Sequence, residues 1–327
     1  MSSNASAVEG APSPVGARAL LRRLAFGDAV AHIVTLMFAA FIILITSLLV
    51  FELWINSALS RKTFGWSFFV TSVWDPVFEH FGALPFLYGT VVTSVVALLL
   101  AVPLGVGAAI FLAELAPPGL SDMLAFVIDL LAAIPSVIYG LLGFFVVVPF
   151  VRSDLAPILK STLGFLPLFR GVSYGLSVLT ASLVLAVMIV PFIISVSREV
   201  LLAVPADQRE AALALGATRW ESTFRVVLPF ARSGITGSVF LAMARALGET
   251  MAVTMVIGNE PRINASLLAP GYTIAAVIAN EFTEATGKLY LQSLIELGLV
   301  LFLVTFILNG LARLLILATE RRGGAHV

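Results

Sequence analysis

Arg245 and Glu249 stand four residues apart inside an otherwise apolar stretch, Gly234 to Ile257, long enough to cross a lipid bilayer. An ionised side chain at the centre of a span costs about 2.5–3.5 kcal/mol even on lenient insertion scales, so such residues are functional candidates by default. Counted from Gly234 at about 1.5 Å per residue, Arg245 falls roughly 16 Å into the span, near the midplane. Glu249 follows one turn further on, on the same helical face. Two readings stay open. In one, the pair neutralises itself to lower the cost of insertion. In the other, Arg245 makes a transient contact with an anion, because a guanidinium presents a planar fork of donors suited to phosphate oxygens and stays charged when desolvated. Glu249 would then hold the fork between visits and keep affinity low enough for release. Against the first reading, Arg before Glu is the less favourable order for an i, i+4 pair.

The elements that position these residues follow from composition. Of 327 residues, 60% are hydrophobic and 12% charged, about half the charge that covers a soluble domain. The 19 basic residues balance 19 acidic ones, so no positive field exists to attract nucleic acid. Without Cys there is no disulfide, thiolate metal site or thiol nucleophile. His32, His80 and His326 are scattered, so no metal site is expected. The one Gly-Lys pair, Gly287-Lys288, lacks the rest of a P-loop. No nucleophile, base and metal constellation is legible, so no catalytic residue is assigned and the chain is read as a non-enzyme.

Six stretches reach the roughly 20 apolar residues that a helical span needs: Val30 to Trp54, Tyr88 to Leu112, Met123 to Val148, Tyr174 to Val196, Gly234 to Ile257 and Leu291 to Ala318. The expected fold is an all-α integral membrane protein with six transmembrane helices. The first stretch exceeds a signal-peptide core of about 7–15 residues and is read as a retained helix. With the N-terminus inside, inner positions hold eleven Arg, among them Arg22, Arg198, Arg209 and Arg313, against seven outer Arg and Lys. That bias favours N-in and C-in. The loop Ala113 to Asp122 holds no Lys or Arg and does not contribute. The expected organisation is a disordered cytoplasmic tail over 1–28, a span with a long outer loop over 29–87, a core over 88–318 with an inner loop at 198–233, and a cytoplasmic tail over 319–327.

Two outer segments stand out. Ile55 to Leu87 carries Trp66, Phe68, Phe69, Trp74, Phe78 and Phe81, a content read as an interfacial aromatic belt. In Asn259 to Tyr290, the run Ile274 to Phe282 is too short to span and is read as a re-entrant or surface helix. Within the spans, Pro135-Ser136 frees a carbonyl near Leu131 and is the candidate gating kink. Pro103 and Pro191 are further kink candidates. Asp129 and Glu296 face either the bundle interior or the headgroups. Ala101, Gly105, Gly107, Ala108 and Ala109 form a small-residue packing face.

The inner loop Arg198 to Ser233 is the most structured. Pro205 opens a helix over Ala206 to Leu215, and Gly216 is its left-handed cap. Ala211, Ala212 and Leu215 lie on one side of that helix. Thr218 and Glu221 form a capping box for a second helix, whose end Pro229 is expected to limit. Five Arg oppose four acids, too little excess for a polybasic lipid patch. The run Glu210-Ala211-Ala212, three residues, Gly216, nine residues, Val226, one residue, Leu228-Pro229 resembles the EAA loop of ABC-importer permeases, with Val226 where that pattern has Ile. The resemblance implies a coupling helix pair, with Glu210, Ala211, Ala212, Gly216, Leu228 and Pro229 docking onto a cytoplasmic ATPase subunit.

Further stretches narrow the likeness: Phe81-Gly82-Ala83-Leu84-Pro85-Phe86-Leu87-Tyr88-Gly89-Thr90, Leu131-Ala132-Ala133-Ile134-Pro135-Ser136-Val137-Ile138-Tyr139-Gly140, Ala231-Arg232-Ser233-Gly234-Ile235 and Arg245-Ala246-Leu247-Gly248-Glu249-Thr250-Met251-Ala252-Val253. From about Arg22 to Arg313 the chain resembles the PstC family of bacterial phosphate-importer permeases. That implies a type I importer (MetI-like) fold in the cytoplasmic (inner) membrane, a sister permease (PstA-like), an ATPase dimer (PstB-like) and an extracytoplasmic phosphate-binding protein (PstS-like). It also implies inorganic phosphate as cargo, with Arg245, Glu249 and Thr250 as translocation candidates. No cofactor is expected on this chain, since ATP and Mg belong to the ATPase. The alternatives are a permease for another oxyanion (molybdate, sulfate, phosphonate), the sister subunit itself, and a stand-alone ion-coupled carrier. Against the last, no inverted repeat is visible.

Overall fold

Hydrocarbon offers no partner to backbone N–H and C=O groups, so long apolar runs close their hydrogen bonds within helices. The computed structural model describes residues 14–323 and is helical apart from one two-stranded ribbon. In chain order come α1 (Pro14–Asn56), α2 (Ala58–Phe64), α3 (Ser67–Val70), β1 (Trp74–Asp75), β2 (His80–Phe81), α4 (Leu84–Ile110), α5 (Pro118–Ala132), α6 (Ser136–Leu142), α7 (Val148–Phe150) and α8 (Ala156–Leu163). Then follow α9 (Val178–Leu202), α10 (Ala206–Ala214), α11 (Arg219–Ser222), α12 (Leu228–Leu247), α13 (Met251–Val256), α14 (Ile274–Glu281) and α15 (Lys288–Gly323). Among the described residues, six segments are long and apolar enough to cross a membrane: Val30–Asn56, Leu84–Leu115, Ser136–Leu163, Val178–Leu202, Arg219–Leu247 and Lys288–Leu311. Of the tail expected over 1–28, residues 1–13 lie outside the described part, and from Pro14 the backbone is already helical. Of the tail expected over 319–327, α15 takes in 319–323, while 324–327, including His326, lie outside the described part.

Residues 1–55 and 56–327 form two compact units. The first is α1 up to Ile55, apolar on every side from Leu36 to Ile45, as a spanning helix is. In the second, α9 is the central post, packed by α4, α5, α12 and α13. Ala97, Ala101, Gly105 and Ala109 recur every four residues on the buried face of α4. A Cβ at Gly105 would fall 2.7 Å from Ile193 of α9, so the small residues set the approach of the two helices. Gly107, expected on that face, has no neighbour within 4 Å and points away. Pro103 and Pro191 are carried within α4 and α9.

Three expected spans shift. Met123 to Val148 is two helices, because Pro135 has no N–H to give and its ring presses on the preceding turn. α5 ends at Ala132, and Pro135, extended at ψ 138, becomes the N-cap of α6. The membrane-length helix is therefore Ser136–Leu163. The fourth span starts at Val178, because the Ser177 hydroxyl accepts from Thr180 N–H and caps it there. The fifth begins at Arg219, since Pro229 does not end a helix.

The reason recurs along the chain. Four wide π-helical turns, Phe111–Leu115, Gly143–Val147, Val151–Leu155 and Thr223–Val227, each lie just before an X-Pro dipeptide: Pro117, Pro149, Pro157 and Pro229. In each, the residue before proline donates to the carbonyl five positions back, as Leu228 does to Thr223. The wider turn gives the ring room, and in three of the four places the helix continues beyond it.

The expected outer segment is a folded cap. Phe68 and Phe81 are fully buried, and Trp74 nearly so, against Phe86, Tyr272, Ile274, Leu294 and Leu297. This corrects the belt reading: three of the six aromatics make a core, while Trp66 and Phe78 stay 86% and 73% exposed. The short run read as a re-entrant or surface helix is α14, capped by the Thr273 hydroxyl and packed on α4 and α15. Its Ile274 N–H donates to Thr90 Oγ1 at 3.0 Å. Burial pushes the Tyr272 phenol up to about 12, so it stays protonated beside Asn280, whose Nδ2 donates to it at 3.0 Å.

Candidate functional site

The inner loop forms much as its local chemistry dictates. α10 runs from Ala206 to Ala214, and the chain turns at Gly216, whose φ of +86° is the left-handed conformation that glycine adopts without strain. The Thr218 hydroxyl then accepts from Glu221 N–H at 3.2 Å, while Glu221 Oε2 accepts from Thr218 N–H at 3.0 Å. Both arms of the capping box are made. The second helix is not a separate rod. It runs through the π-turn and past Leu228-Pro229 into α12, so the bend at Gly216 is joined directly to a membrane span. Glu210 and Ala211 are exposed and Ala212 is half-buried. Leu215, Trp220 and Phe224 expose 90%, 58% and 40% of their surface. The apolar side of this loop therefore faces outward and is not packed within the chain.

What fastens the loop was not legible locally. Arg209 turns inward and pairs with Glu114 at 2.7 Å. Glu114 belongs to the connection that offered no basic residue to count, and only the fold brings it to α10. Asp122 of that connection meets Arg198 at 3.4 Å. Between α10, the π-turn and Glu114 lies a cleft of about 290 Å³ lined by Arg209, Leu213, Arg219 and Thr223.

Arg245 and Glu249 do not share a helical face, and Glu249 lies past the end of the membrane-length segment Arg219–Leu247. α12 ends at Leu247, Gly248 to Thr250 is open chain, and α13 starts at Met251. Each charge then serves its own helix end. Arg245 lies in the last turn of α12, where a cation is favoured, and Glu249 precedes α13, where an anion is favoured. The Glu249 carboxylate accepts from Ala252 N–H at 3.2 Å, satisfying one of the donors that a helix start leaves open. Thr250 Oγ1 donates to the Gly248 carbonyl at 3.3 Å across the break. Among the described residues no ion pair joins Arg245 to Glu249. The Arg245 guanidinium is exposed and lies 5.8 Å from the centre of the Phe192 ring, within cation–π reach.

The second break meets the first. α6, which opens at Pro135-Ser136, packs on α13, and Tyr139, Ala246 and Ala252 share one core cluster with Ile134 and Phe192. The carbonyl expected to be freed near Leu131 is used twice: it accepts from Ile134 N–H at 3.2 Å and from Tyr139 OH at 2.8 Å. Of the two acids left open by the sequence, Glu296 is buried at 2% exposure and Asp129 is exposed.

The arrangement thus has two working parts. One is an outward-facing bent element continuous with a span. The other is a pair of helix breaks in contact, carrying one exposed guanidinium. Residues 101–321 match the family model described as binding-protein-dependent transport system inner membrane component. A phosphate transport system permease protein PstC of Mesorhizobium japonicum is 47% identical over 311 residues, covering 94% of this chain and 95% of its own. One of Xylella fastidiosa is 49% identical over 264 residues, covering 80% and 81%. A protein of Methanocaldococcus jannaschii described as a probable phosphate transport system permease protein PstC is 36% identical over 278 residues, covering 83% and 88%.

Proposed function

The chain belongs to the binding-protein-dependent transport system inner membrane component family, and on that premise we propose that it is a permease subunit of an ATP-driven importer of inorganic phosphate. It is a multi-pass protein of the inner membrane with no catalytic step of its own. Its partners are a sister permease, an ATPase dimer that binds ATP and Mg, and an extracytoplasmic phosphate-binding protein. The observation that carries the reading is the exposed, capped loop at Glu210 to Pro229, joined to a span, on a chain similar over 94% of its length to a phosphate permease. ATP-driven movement of the ATPase dimer displaces this loop, and the bend at Gly216 keeps the push from dissipating in a floppy connection.

At the inner breaks, Arg245 offers phosphate a fork of donors without a carboxylate already bound to it. Glu249 remains on its own side of Gly248, holding the start of α13. The contact is thus cationic but single, which suits passage better than storage. Arg245→Ala should lower phosphate uptake to background in cells or proteoliposomes while the ATPase still co-purifies. Normal uptake in that variant would make Arg245 a packing residue. Competition by molybdate, sulfate and phosphonate against phosphate uptake fixes the cargo, and equal inhibition by all three would sink the phosphate reading.

A further inference from the structure

One side chain at the root of the coupling loop ties three elements together. Arg209 Nε donates to both oxygens of Glu114 at 3.2 Å, and Nη2 donates to Glu114 Oε1 and to the Leu201 carbonyl, each at 2.7 Å. Nη1 donates to the Val204 carbonyl. Leu201 lies in the last turn of α9 and Val204 in the turn beyond it, and the Leu201 carbonyl also accepts from Val204 N–H at 3.2 Å. Glu114 closes the span that α4 begins. The side chains of Arg209 and Glu114 are 23% and 9% exposed. Four of the five N–H donors of the guanidinium are used inside the fold, so Arg209 has no fork left for a partner, although its neighbour Glu210 is fully outward.

We propose that Arg209 is the positioning residue that delivers displacement of α10 to the second and fourth spans, with Glu114 as its anchor. The proposal rests on the reading of this loop as the ATPase-docking element. α10 has nine residues and no buried side chain. A helix that short has little stability of its own, and a push on it would be absorbed by bending unless something stiff fixed its inner side. A forked, nearly buried ion pair is stiff in that sense, because separating it leaves a carboxylate buried without its partner. Lysine could keep the charge but not the planar geometry that reaches two carboxylate oxygens and two carbonyls at once.

The test uses the whole complex, with sister permease, ATPase and binding protein, in proteoliposomes. ATP hydrolysis and uptake of radiolabelled phosphate are read in parallel. Arg209→Lys and Glu114→Gln are each expected to leave hydrolysis within about twofold while phosphate moved per ATP falls about tenfold, as expected when a link and not a docking contact is lost. The double variant should be no worse than either single one, because both remove the same link. Hydrolysis and uptake falling in proportion, loss of the ATPase from the purified complex, or losses that multiply in the double variant would each overturn the proposal. If the wild-type complex moves another oxyanion instead, only the cargo reading falls, and the same ratio is then taken with that anion.

Discussion

The span that α4 begins joins two extramembrane regions built on opposite principles. At its start, Phe86 enters a cap in which Phe68, Trp74 and Phe81 are buried and rings meet edge to face, Trp74 to Phe86 at 4.9 Å between centroids. At its end, Glu114 holds a loop that leaves Leu215, Trp220 and Phe224 in the open. The cap has a core of its own, in which even the indole N–H of Trp74 and the hydroxyl of Tyr290 share an acceptor, Glu281, while Trp66, Val77 and Phe78 stay exposed around it. The loop is complete in its turns and ion pair but not in its apolar surface. A region built round its own buried rings is shaped for stability, whereas one whose rings, Trp220 and Phe224, face outward round a capped bend is shaped for a partner.

The sharpest way to break this contrast is Phe81→Ala. Removing a ring at 1% exposure should cost about 3–5 kcal/mol, read as a large drop in the thermal midpoint of the detergent-solubilised protein; a drop of only a degree or two would mean the cap is no core. Glu281→Ala strips the acceptor from Trp74 and Tyr290 together and should cost about 1–3 kcal/mol, with Glu281→Gln recovering part of it. At the other region, Gly216→Ala meets no neighbouring atom within 4 Å, so its effect is on the backbone alone. It should be about 1–2 kcal/mol for a side chain held at positive φ, measured as weaker retention of the ATPase. The smallest effect on folding belongs to Leu215→Ala, within about 0.5 kcal/mol, yet it too should weaken ATPase retention. A clear loss of thermal stability from Leu215→Ala would erase the distinction between the two regions.

What the sequence revealed divides along the range of the interactions. The capping box at Thr218 and Glu221 and the bend at Gly216 are set by neighbours within a few residues, and both were legible, whereas the Leu131 carbonyl expected to be free accepts from Ile134 N–H and Tyr139 OH. The partner of Arg209 lies 95 residues away, and no local signal marks Glu114. Pro229 misled because a proline is read as a helix end, while a π-turn lets this chain pass three of them. The break at Gly248 did leave a trace. Arg before Glu is unfavourable along one helix, but it is the favoured order when one helix ends between them and another begins. Proximity in sequence suggested a pair, and the interruption turned it into two caps. The aromatic residues of the first outer segment could not be sorted by composition alone, since Phe68 and Trp66 differ only in which way the fold turns them.

The Tyr139 hydroxyl on Leu131 has a practical consequence. The last carbonyls of a helix lack donors within it and turn to water, to a tighter final turn or to a side chain. Here the second donor comes from the next helix, eight residues on, so the end of α5 and the start of α6 are stitched side chain to backbone across the proline that parts them.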